Sequence, residues 1–295
     1  MLYVDLNQVM IANIMIHIHS RKQNEVVDEN LIRHMVLNSL RSYVVKFKKE
    51  YGDVVICCDG SRSWRKDVFP LYKANRKKDR EAMIGVDWNI IFGTLNKLRD
   101  ELKTNFPYKV IQVDGAEADD IIAVLVKNIP EKSLILSSDK DFVQLQKYPH
   151  IKQYSSTLEK FITADSKNVN KHPDRGTPSK FLRELILRGD VGDGIPNFLS
   201  PDNCLVAQER QKPISQKNLD KWLVEDPDTF CTTETMKRGY KRNELLIDFD
   251  YIPEDVTDRI LSTYGEVKKG DASRLLNYLI ENRLRNLIER VQEFY

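Results

Sequence analysis

The stretch Val113–Leu145, VDGAEADDIIAVLVKNIPEKSLILSSDKDFVQL, places acids on both sides of one helix-then-strand unit. An apolar helical run and a short apolar strand separate the two sets, so the acids stand at the ends of elements. Two carboxylates roughly 4 Å apart repel by about 4 kcal/mol at an effective dielectric of about 20, so a cation is required. Oxygen ligands without interleaved His or Cys favour Mg²⁺ or Mn²⁺ over zinc. The acids are Asp114, Glu117, Asp119, Asp120, Asp139 and Asp141.

The pattern of a buried strand followed by an acid also occurs twice before this stretch. A strand over residues 2–6 contains Asp5, and a strand over 53–58 is followed by Asp59. Asp5 taken alone also fits an N-cap of the helix that follows. Further strands are predicted over 108–113 and 133–136, with helices starting at Asp28 and covering 86–102 and 121–126, and an edge hairpin over 151–154 and 160–162. This alternation predicts an α/β fold with a mostly parallel sheet flanked by helices, whose strand ends share one ligand-binding edge.

A basic stretch, SRSWRKDVFPLYKANRKKDR at Ser61–Arg80, follows Asp59. It holds eight Lys or Arg against two Asp, a local charge of +6, and interleaves three aromatic residues. Basic side chains neutralise phosphates and aromatic faces stack on bases, so the stretch is a candidate single-strand channel. A solvated helix face is the alternative interpretation. The aromatic residues are Trp64, Phe69 and Tyr72.

The composition changes after residue 164. A helix is expected over 180–187, and the glycine-rich sequence RGDVGDGIPN then presents Asp190 and Asp193 on a tightly bent backbone. Residues 198–235 read as mixed helix and loop, and 275–294 reads as one amphipathic helix that packs on the body, with a docking role left open.

Composition limits the class of protein but not its partners. The chain has 295 residues, a formal net charge of +2 and four cysteines without metal-binding or disulfide-framework spacing, which fits a reducing cytosol. The apolar start carries Asp5 and has no basic leader or small-residue cleavage site, so neither a signal peptide nor a membrane span is expected.

Acids at one sheet edge suit hydrolysis of a phosphodiester by two metal ions. The basic stretch then supplies phosphate contacts and a positive group for the transition state, with Lys73 and Arg76 as the first candidates and Arg65 next. The predicted metal-site acids are Asp5, Asp59, Glu117, Asp119, Asp120, Asp139, Asp141, Asp190 and Asp193.

Six motifs occur in the order and approximate spacing of one family: VDL at Asp5, CDG at Asp59, then YKANR, EADD, SSDKDF and GDVGD. On these motifs the chain resembles the 5′ nuclease and flap endonuclease superfamily. Within it the chain is most similar to the ribonuclease H type of T-even bacteriophages, which LIDFDYIP at Leu246–Pro253 also resembles. The likeness extends to about Tyr264.

The resemblance implies a PIN-like nuclease domain over 1–164, with a basic arch at about 61–84. It also implies a mostly helical DNA-binding lobe over 165–295 that carries the last metal-site acids. The implied enzyme is a 5′-to-3′ exonuclease and flap endonuclease that uses two Mg²⁺ ions, with Mn²⁺ as a substitute. It removes RNA primers and adjacent DNA from lagging-strand fragments during phage replication. Implied partners are 5′-flap, nicked or forked DNA and RNA–DNA hybrid, with a single-strand-binding protein and a sliding clamp, for a monomer in the host cytoplasm.

The same resemblance assigns roles by motif. Lys73 matches the lysine that contacts the scissile phosphate and Arg65 matches an arch arginine, so the implied catalytic set is Lys73, Arg65 and Asp119. Asp5, Asp59, Glu117, Asp119 and Asp139 would form a first metal site; Asp141, Asp190 and Asp193 would belong to a second, and Asp120 also matches. The expected nucleic-acid contacts are Arg62, Arg65, Lys66, Tyr72, Lys73, Arg76, Lys77, Lys237 and Arg238.

One departure from the family concerns the duplex clamp. Many members follow the last acidic motif with a Gly-x-Gly hairpin, whereas this chain reads GDGIPNFLSPDN at 192–203. Duplex contacts are therefore expected from Arg210, Lys212, Lys217, Lys221 or the cluster Lys237, Arg238, Lys241 and Arg242. Two other functions stay open at this point: a PIN-type single-strand ribonuclease, and a non-catalytic nucleic-acid-binding protein of the same fold.

Overall fold

A six-stranded sheet forms the centre of the molecule in a computed structural model that describes residues 1–20, 28–83, 86–166 and 176–295. The strand order is β3-β2-β1-β4-β5-β6. The first five strands are parallel, and β6 pairs antiparallel with β5. The strands are β1 (Leu2–Asp5), β2 (Val54–Cys58), β3 (Lys109–Gln112), β4 (Ser133–Leu136), β5 (Ile151–Ser155) and β6 (Lys160–Ile162). The predicted sheet and its edge hairpin are confirmed.

Helices surround the sheet and continue beyond it. The helix predicted from Asp28 begins where that side chain accepts a hydrogen bond from the backbone N–H of Leu31, and it ends at Gly52, whose φ of 82° terminates it. The helices are α1 (Leu6–Ser20), α2 (Glu29–Tyr51), α3 (Arg65–Val68), α4 (Arg76–Glu81), α5 (Trp88–Asn105), α6 (Ala118–Asn128), α7 (Pro178–Arg188), α8 (Gln216–Trp222), α9 (Pro227–Phe230), α10 (Glu234–Ile247), α11 (Glu254–Glu266), α12 (Leu275–Glu281) and α13 (Arg285–Ile288).

Alternate residues of the strands feed two separate cores. Leu2 and Val4 of β1 pack in the core shared with α1, α2 and α5, whereas Tyr3 packs in the core shared with α6 and α11. A third core lies mainly between α7 and α10 and includes Phe69 and Tyr72 of the basic stretch. The basic stretch is therefore built into the second half of the chain.

The end of the chain returns to the sheet. Val256 and Ile260 of α11 pack in the core on one face, and Leu275 and Leu279 of α12 pack in the core on the other. The segment 254–294, which falls within the predicted lobe over 165–295, thus packs against the helices and strands of the sheet.

The prediction of one amphipathic helix over 275–294 is wrong. The helix breaks after α12, where Arg283 has a φ of 55° and the backbone N–H of Leu284 bonds to the carbonyl of Leu279. Leu276 is exposed, although the rest of the predicted apolar face packs on the body as expected. In the described part of the chain, every helix is too short or too polar to span a membrane.

Candidate active site

A cleft of about 670 Å³ lies at the carboxyl edge of the parallel strands. Five predicted acids line it, and we call them the sheet-edge acids: Asp5, Asp59, Glu117, Asp119 and Asp139. Asp5 ends β1, Asp59 directly follows β2, and Asp139 follows β4. Because parallel strands end at the same edge, side chains far apart in sequence converge here as the alternation predicted.

Asp5 and Asp59 are held by neutral donors. The backbone N–H of Gln8 donates to Asp5 Oδ1 at 3.0 Å, and the N–H of Ala118, in the first turn of α6, donates to Asp59 Oδ1 at 2.8 Å. Burial, reinforced by the charge of Asp59, raises the pKa of Asp5 to about 7. Burial likewise raises the pKa of Asp59. Both carboxyls are oriented but not neutralised, which suits ligands for a cation.

Glu117 has cationic neighbours. Its Oε2 accepts hydrogen bonds from Tyr72 Oη at 2.8 Å, and from Ser63 Oγ and Arg65 Nη1 at 3.1 Å each. Its Oε1 is paired with Lys73 Nζ. Burial opposes ionisation of this carboxyl, but the charges of Lys73 and Arg65 lower the pKa of Glu117 to about 2. Glu117 is therefore a carboxylate at any working pH.

Asp119 and Asp120 differ in their surroundings although they are neighbours. Oxygens of Glu117, Asp119 and Asp120 lie within 4.8 Å of one another, a spacing that one metal ion can bridge. Burial raises the pKa of Asp119 well above its usual range. Asp120 is fully buried, with Oδ1 2.8 Å from Arg65 Nη2 and Oδ2 accepting from Trp64 Nε1 at 3.1 Å. Oδ2 of Asp120 is thus held by buried donors, whereas Oδ1 is paired with Arg65 by charge without a hydrogen bond.

Three further acids form a second group beside the cleft, the loop acids: Asp141, Asp190 and Asp193. Asp141 Oδ1 is buried without a hydrogen-bond partner. Burial and the charges of Asp139 and Asp190 raise the pKa of Asp141 well above its usual range. Lys140 Nζ lies 2.6 Å from Asp190 Oδ2. Because Asp141 Oδ1 has no protein donor and the charges of Asp139, Asp190 and Asp193 act on this carboxyl, these residues fit a second cation.

The loop carrying Asp190 and Asp193 is attached to the basic stretch. The backbone N–H of Lys73 donates to the carbonyl of Asp193 at 2.8 Å, and Arg76 Nη2 donates to Asp193 Oδ1 at 2.5 Å. Gly194 has a φ of 73°, and a Cβ there would lie 3.0 Å from the carbonyl of Leu71. The glycine therefore permits the close approach that sets the position of the loop acids.

The aromatic residues of the basic stretch correct an expectation. Trp64, Phe69 and Tyr72 are all buried and offer no face for base stacking. Arg65 is 2% exposed and its guanidinium is enclosed, so its expected contact with nucleic acid is corrected: the side chain is not accessible to a substrate in this structure. Trp64 and Arg65 face α6 and donate to Asp120, and Arg65 also donates to the carbonyl of Leu246 in α10. Residue 84, at the end of the predicted arch, lies outside the described residues.

The other cations of the stretch remain accessible. Arg62, Lys66 and Arg76 are exposed and line the cleft, and Lys77 is exposed on α4. In the second half of the chain, Lys237, Arg238 and Lys241 are exposed on α10. Arg242 is 8% exposed and donates to the carbonyls of Pro196 and Asn197, so its predicted duplex contact is corrected to a structural role.

Several side chains that form hydrogen bonds with the acids were not predicted from the sequence. Asn7 Nδ2 donates to Asp59 Oδ2, and Ser137 Oγ donates to Asp5 Oδ2 at 3.2 Å. Gln153 is buried and donates to the carbonyl of Asp139 at 2.6 Å. Asn7 and Ser137 stand within two residues of Asp5 and Asp139, and that adjacency was the available signal.

Two known families match consecutive parts of the sequence. The family described as 5'-3' exonuclease, N-terminal resolvase-like domain, matches residues 16–173, and T4 RNase H, C terminal, matches residues 178–294. The ribonuclease H of Enterobacteria phage T4 is 33% identical over 301 aligned residues, which cover 99% of this chain and 94% of that protein. The chain belongs to the 5′-3′ exonuclease family.

One further relative and one solved structure extend the comparison. The flap endonuclease Xni of Shewanella pealeana is 29% identical over 65% of this chain and 71% of that protein. The bacteriophage T5 flap endonuclease, solved in a complex with DNA and metal ions, superposes with a TM-score of 0.61 at 18% identity. That match covers 90% of this chain and 98% of the other. The predicted 5′ nuclease fold and the prediction of an enzyme, a nuclease of this family, are confirmed.

Proposed function

We propose that this chain is a Mg²⁺-dependent 5′-to-3′ exonuclease and flap endonuclease of the ribonuclease H type. Its proposed task is to remove RNA primers and adjacent DNA from lagging-strand fragments during phage DNA replication. The observation that carries the proposal is the convergence of five carboxyl groups and Lys73 in one cleft, in a chain of the 5′-3′ exonuclease family. Carboxylates alone repel a polyanion, so the cleft requires divalent cations before a phosphodiester can enter.

The residues present fit two divalent ions. The sheet-edge acids would hold the first, and Asp139 with the loop acids would hold the second, where Asp141 Oδ1 lacks a protein donor. When bound, Mg²⁺ or Mn²⁺ lowers the pKa of the attacking water and stabilises the departing oxygen. The role proposed for Asp119 in the reaction is that of a metal ligand, alongside its neighbour Glu117.

The cations of the cleft act on the substrate. Lys73 Nζ rests on Glu117 and lies 3.8 Å from Asp193 Oδ2. The side chain of Lys73 is 18% exposed, so it reaches both the acids and the cleft. We assign Lys73 to the scissile phosphate, where its charge stabilises the developing negative charge. Arg62, Lys66 and Arg76 bind flanking phosphates along the same wall.

The duplex is assigned to the second half of the chain. Lys237 and Arg238 are exposed near the start of α10, where Lys237 pairs with Glu234, at 3.2 Å, and Arg238 with Asp202, at 3.6 Å. Exposed cations in such weak pairs exchange readily to phosphates. Arg210, Lys217 and Lys221 are also exposed and extend the candidate surface. A single-strand-binding protein and a sliding clamp are proposed as further partners of a monomer that works in the host cytoplasm.

The proposed function is tested by substrate preference. Equal amounts of a 5′-flap duplex, an RNA-primed duplex and a single-stranded RNA are incubated with the protein and Mg²⁺, and the 5′ products are resolved. We expect both duplex substrates to be cut from the 5′ end and single-stranded RNA to be cut far more slowly. Preference for single-stranded RNA would instead support the PIN-type ribonuclease and contradict the proposal.

A further inference from the structure

Arg65, the first residue of α3, is enclosed on every side. Its side chain is 3% exposed. The guanidinium carbon lies 4.8 Å from the centre of the Trp64 ring and 5.9 Å from that of Tyr72. Burying an arginine is costly unless each of its donors finds an acceptor, so the acceptors identify its role.

The donors of Arg65 reach two separate segments, the start of α6 and the end of α10. Nη1 donates to Oδ2 of Asp120, in α6, at 3.0 Å, and Nη2 lies 2.8 Å from Asp120 Oδ1 as an ion pair. Nη1 also donates to Glu117 Oε2, and Nε donates to the carbonyl of Leu246, at the end of α10, at 2.8 Å. One planar group thus joins the base of the basic stretch, the acid-bearing end of α6 and the second half of the chain.

The two oxygens of the Glu117 carboxylate have different hydrogen-bond partners. Oε2 receives donors from Ser63, Arg65 and Tyr72, all of them buried. Oε1 faces Lys73 alone among the described residues. Oε2 is therefore the fixed oxygen, and Oε1 is the oxygen left for a ligand once Lys73 moves to a phosphate.

We propose that Arg65 is a positioning residue that holds Glu117 for metal binding and ties the end of α10 to α6, and that it does not contact the substrate; this assignment rests on the proposed function. Asp120 is then the buried counter-ion of Arg65 and no metal ligand. Lysine cannot replace the arginine, because a point charge cannot serve Asp120, Glu117 and Leu246 together.

The test compares Arg65→Lys and the double variant Arg65→Met with Asp120→Leu, which leaves no unpaired buried charge. Arg62→Met is the matched control, because Arg62 is an exposed arginine of the same stretch that lines the cleft. Mn²⁺ affinity is measured by calorimetry, and flap-DNA affinity is measured in chelator over a series of salt concentrations. Thermal melting verifies the folding of each variant.

For both Arg65 variants we expect Mn²⁺ affinity to fall by about tenfold or more, as for other residues that orient metal ligands. The salt dependence of DNA binding should stay unchanged. Arg62→Met should do the opposite and lower the salt slope by about one unit at unchanged Mn²⁺ affinity. If the double variant does not fold, the result for Arg65→Lys, which keeps the buried charge, decides whether Arg65 positions Glu117.

Mn²⁺ affinity within about twofold of the parent in Arg65→Lys would overturn the assignment. A lysine can replace an arginine that only contacts a phosphate, but it cannot replace a guanidinium that must bind several acceptors at once. A salt slope reduced by about one unit in the double variant would also overturn it. A parent that neither binds Mn²⁺ nor cuts flap DNA refutes the proposed function. A parent that does both, with unaffected Arg65 variants, refutes only the role given to Arg65.

Discussion

The sheet-edge acids and the loop acids serve one cleft but are held in different ways. Glu117 is paired with Arg65 and Lys73, whose side chains are 3% and 18% exposed. Asp190 and Asp193 are paired with Lys140 and Arg76, whose side chains are 43% and 47% exposed. Glu117 of the first group is fixed by the buried Arg65, whereas Asp190 and Asp193 lie on a loop and are paired with cations that water reaches. The hydroxyl of the buried Tyr72 bonds to both Glu117 and Asp193.

The difference shows which group sets the geometry of the chemistry. The buried Arg65 cannot leave Glu117 without disrupting the fold, whereas half-exposed counter-ions such as Lys140 and Arg76 exchange with solvent and ions at little cost. The sheet-edge acids therefore form the fixed half of the metal centre. The loop acids form the half that adapts as substrate enters and Arg76 turns to a phosphate.

The largest expected effect is the loss of cleavage rate in Asp119→Asn, which we compare with the loss in Asp193→Asn. The first should lower the cleavage rate by about a thousandfold or more, roughly 4 kcal/mol of barrier, while flap-DNA binding persists or strengthens because negative charge is removed. The second should cost roughly ten- to a hundredfold, because the loop can readjust. Single-turnover rates on a labelled flap substrate measure both, and residual Asp119→Asn cleavage within about tenfold of the parent contradicts the ranking.

Next in size is Lys73→Ala. Loss of one charged donor at the scissile phosphate should cost about 3 kcal/mol of barrier, whereas Mn²⁺ affinity should hold or rise because Lys73 no longer occupies Glu117. Arg76→Ala serves as the control, with a smaller loss because Arg76 binds a flanking phosphate. A trivial rate effect for Lys73→Ala would reduce that lysine to an ordinary phosphate contact.

The free energy of unfolding, measured over a series of pH values with chelator present, tests whether the acids are as close together as the structure shows. The pKa of Asp5 is raised to about 7, so the folded protein binds more protons than the unfolded chain above the ordinary pKa of aspartate, and stability falls as pH rises toward 7. Glu117 acts oppositely, with a pKa of about 2, and its contribution is complete above about pH 4.5. We expect the free energy of unfolding to fall by roughly 2 kcal/mol between about pH 4.5 and 7.

Added Mn²⁺ should remove that fall at the upper end of the range, since bound cations favour the ionised acids. Asp5→Asn is the matched variant, in which the fall should shrink. A stability that rises steadily to neutral pH in chelator would show that the acids are not crowded as described.

The smallest effect is expected outside both acid groups. Reversing the charge of Lys237 and Arg238 should weaken duplex binding and lower its salt dependence by about one unit for each lost phosphate contact. The single-turnover cleavage rate at saturating protein should be unaffected. An unchanged salt slope would remove this pair from the duplex surface.

The sheet-edge acids could be predicted from sequence because a strand ending in an acid is a local pattern, and parallel pairing brings such ends together. The burial of Trp64, Arg65 and Tyr72 could not be predicted in the same way. Their partners, Asp120, Glu117 and Leu246, lie 45 to 181 residues away, and a basic composition does not say which side chains turn inward.

The end of the chain shows a second limit. The apolar spacing of residues 275–294 continues across the break at Arg283, because the same side chains pack on the same core after the helix has ended. The periodicity of apolar residues predicts which side chains are buried, but it does not reveal a residue with a left-handed backbone conformation that ends the helix. The bend at 189–195 could be predicted from its glycines, because Gly189 and Gly194 are the residues of this loop that adopt positive φ.

The central claim, that the acids at the sheet edge form a divalent-metal centre for 5′ cleavage, is tested most directly by one cleavage assay. A 5′-labelled flap substrate and an RNA-primed duplex are given to the parent and to Asp119→Asn, with Mg²⁺ and with chelator. We predict short 5′ products from both substrates with Mg²⁺ and the parent, and none with chelator or with the variant. Cleavage that persists in chelator or in Asp119→Asn, or binding of both substrates without any cleavage, would contradict the account.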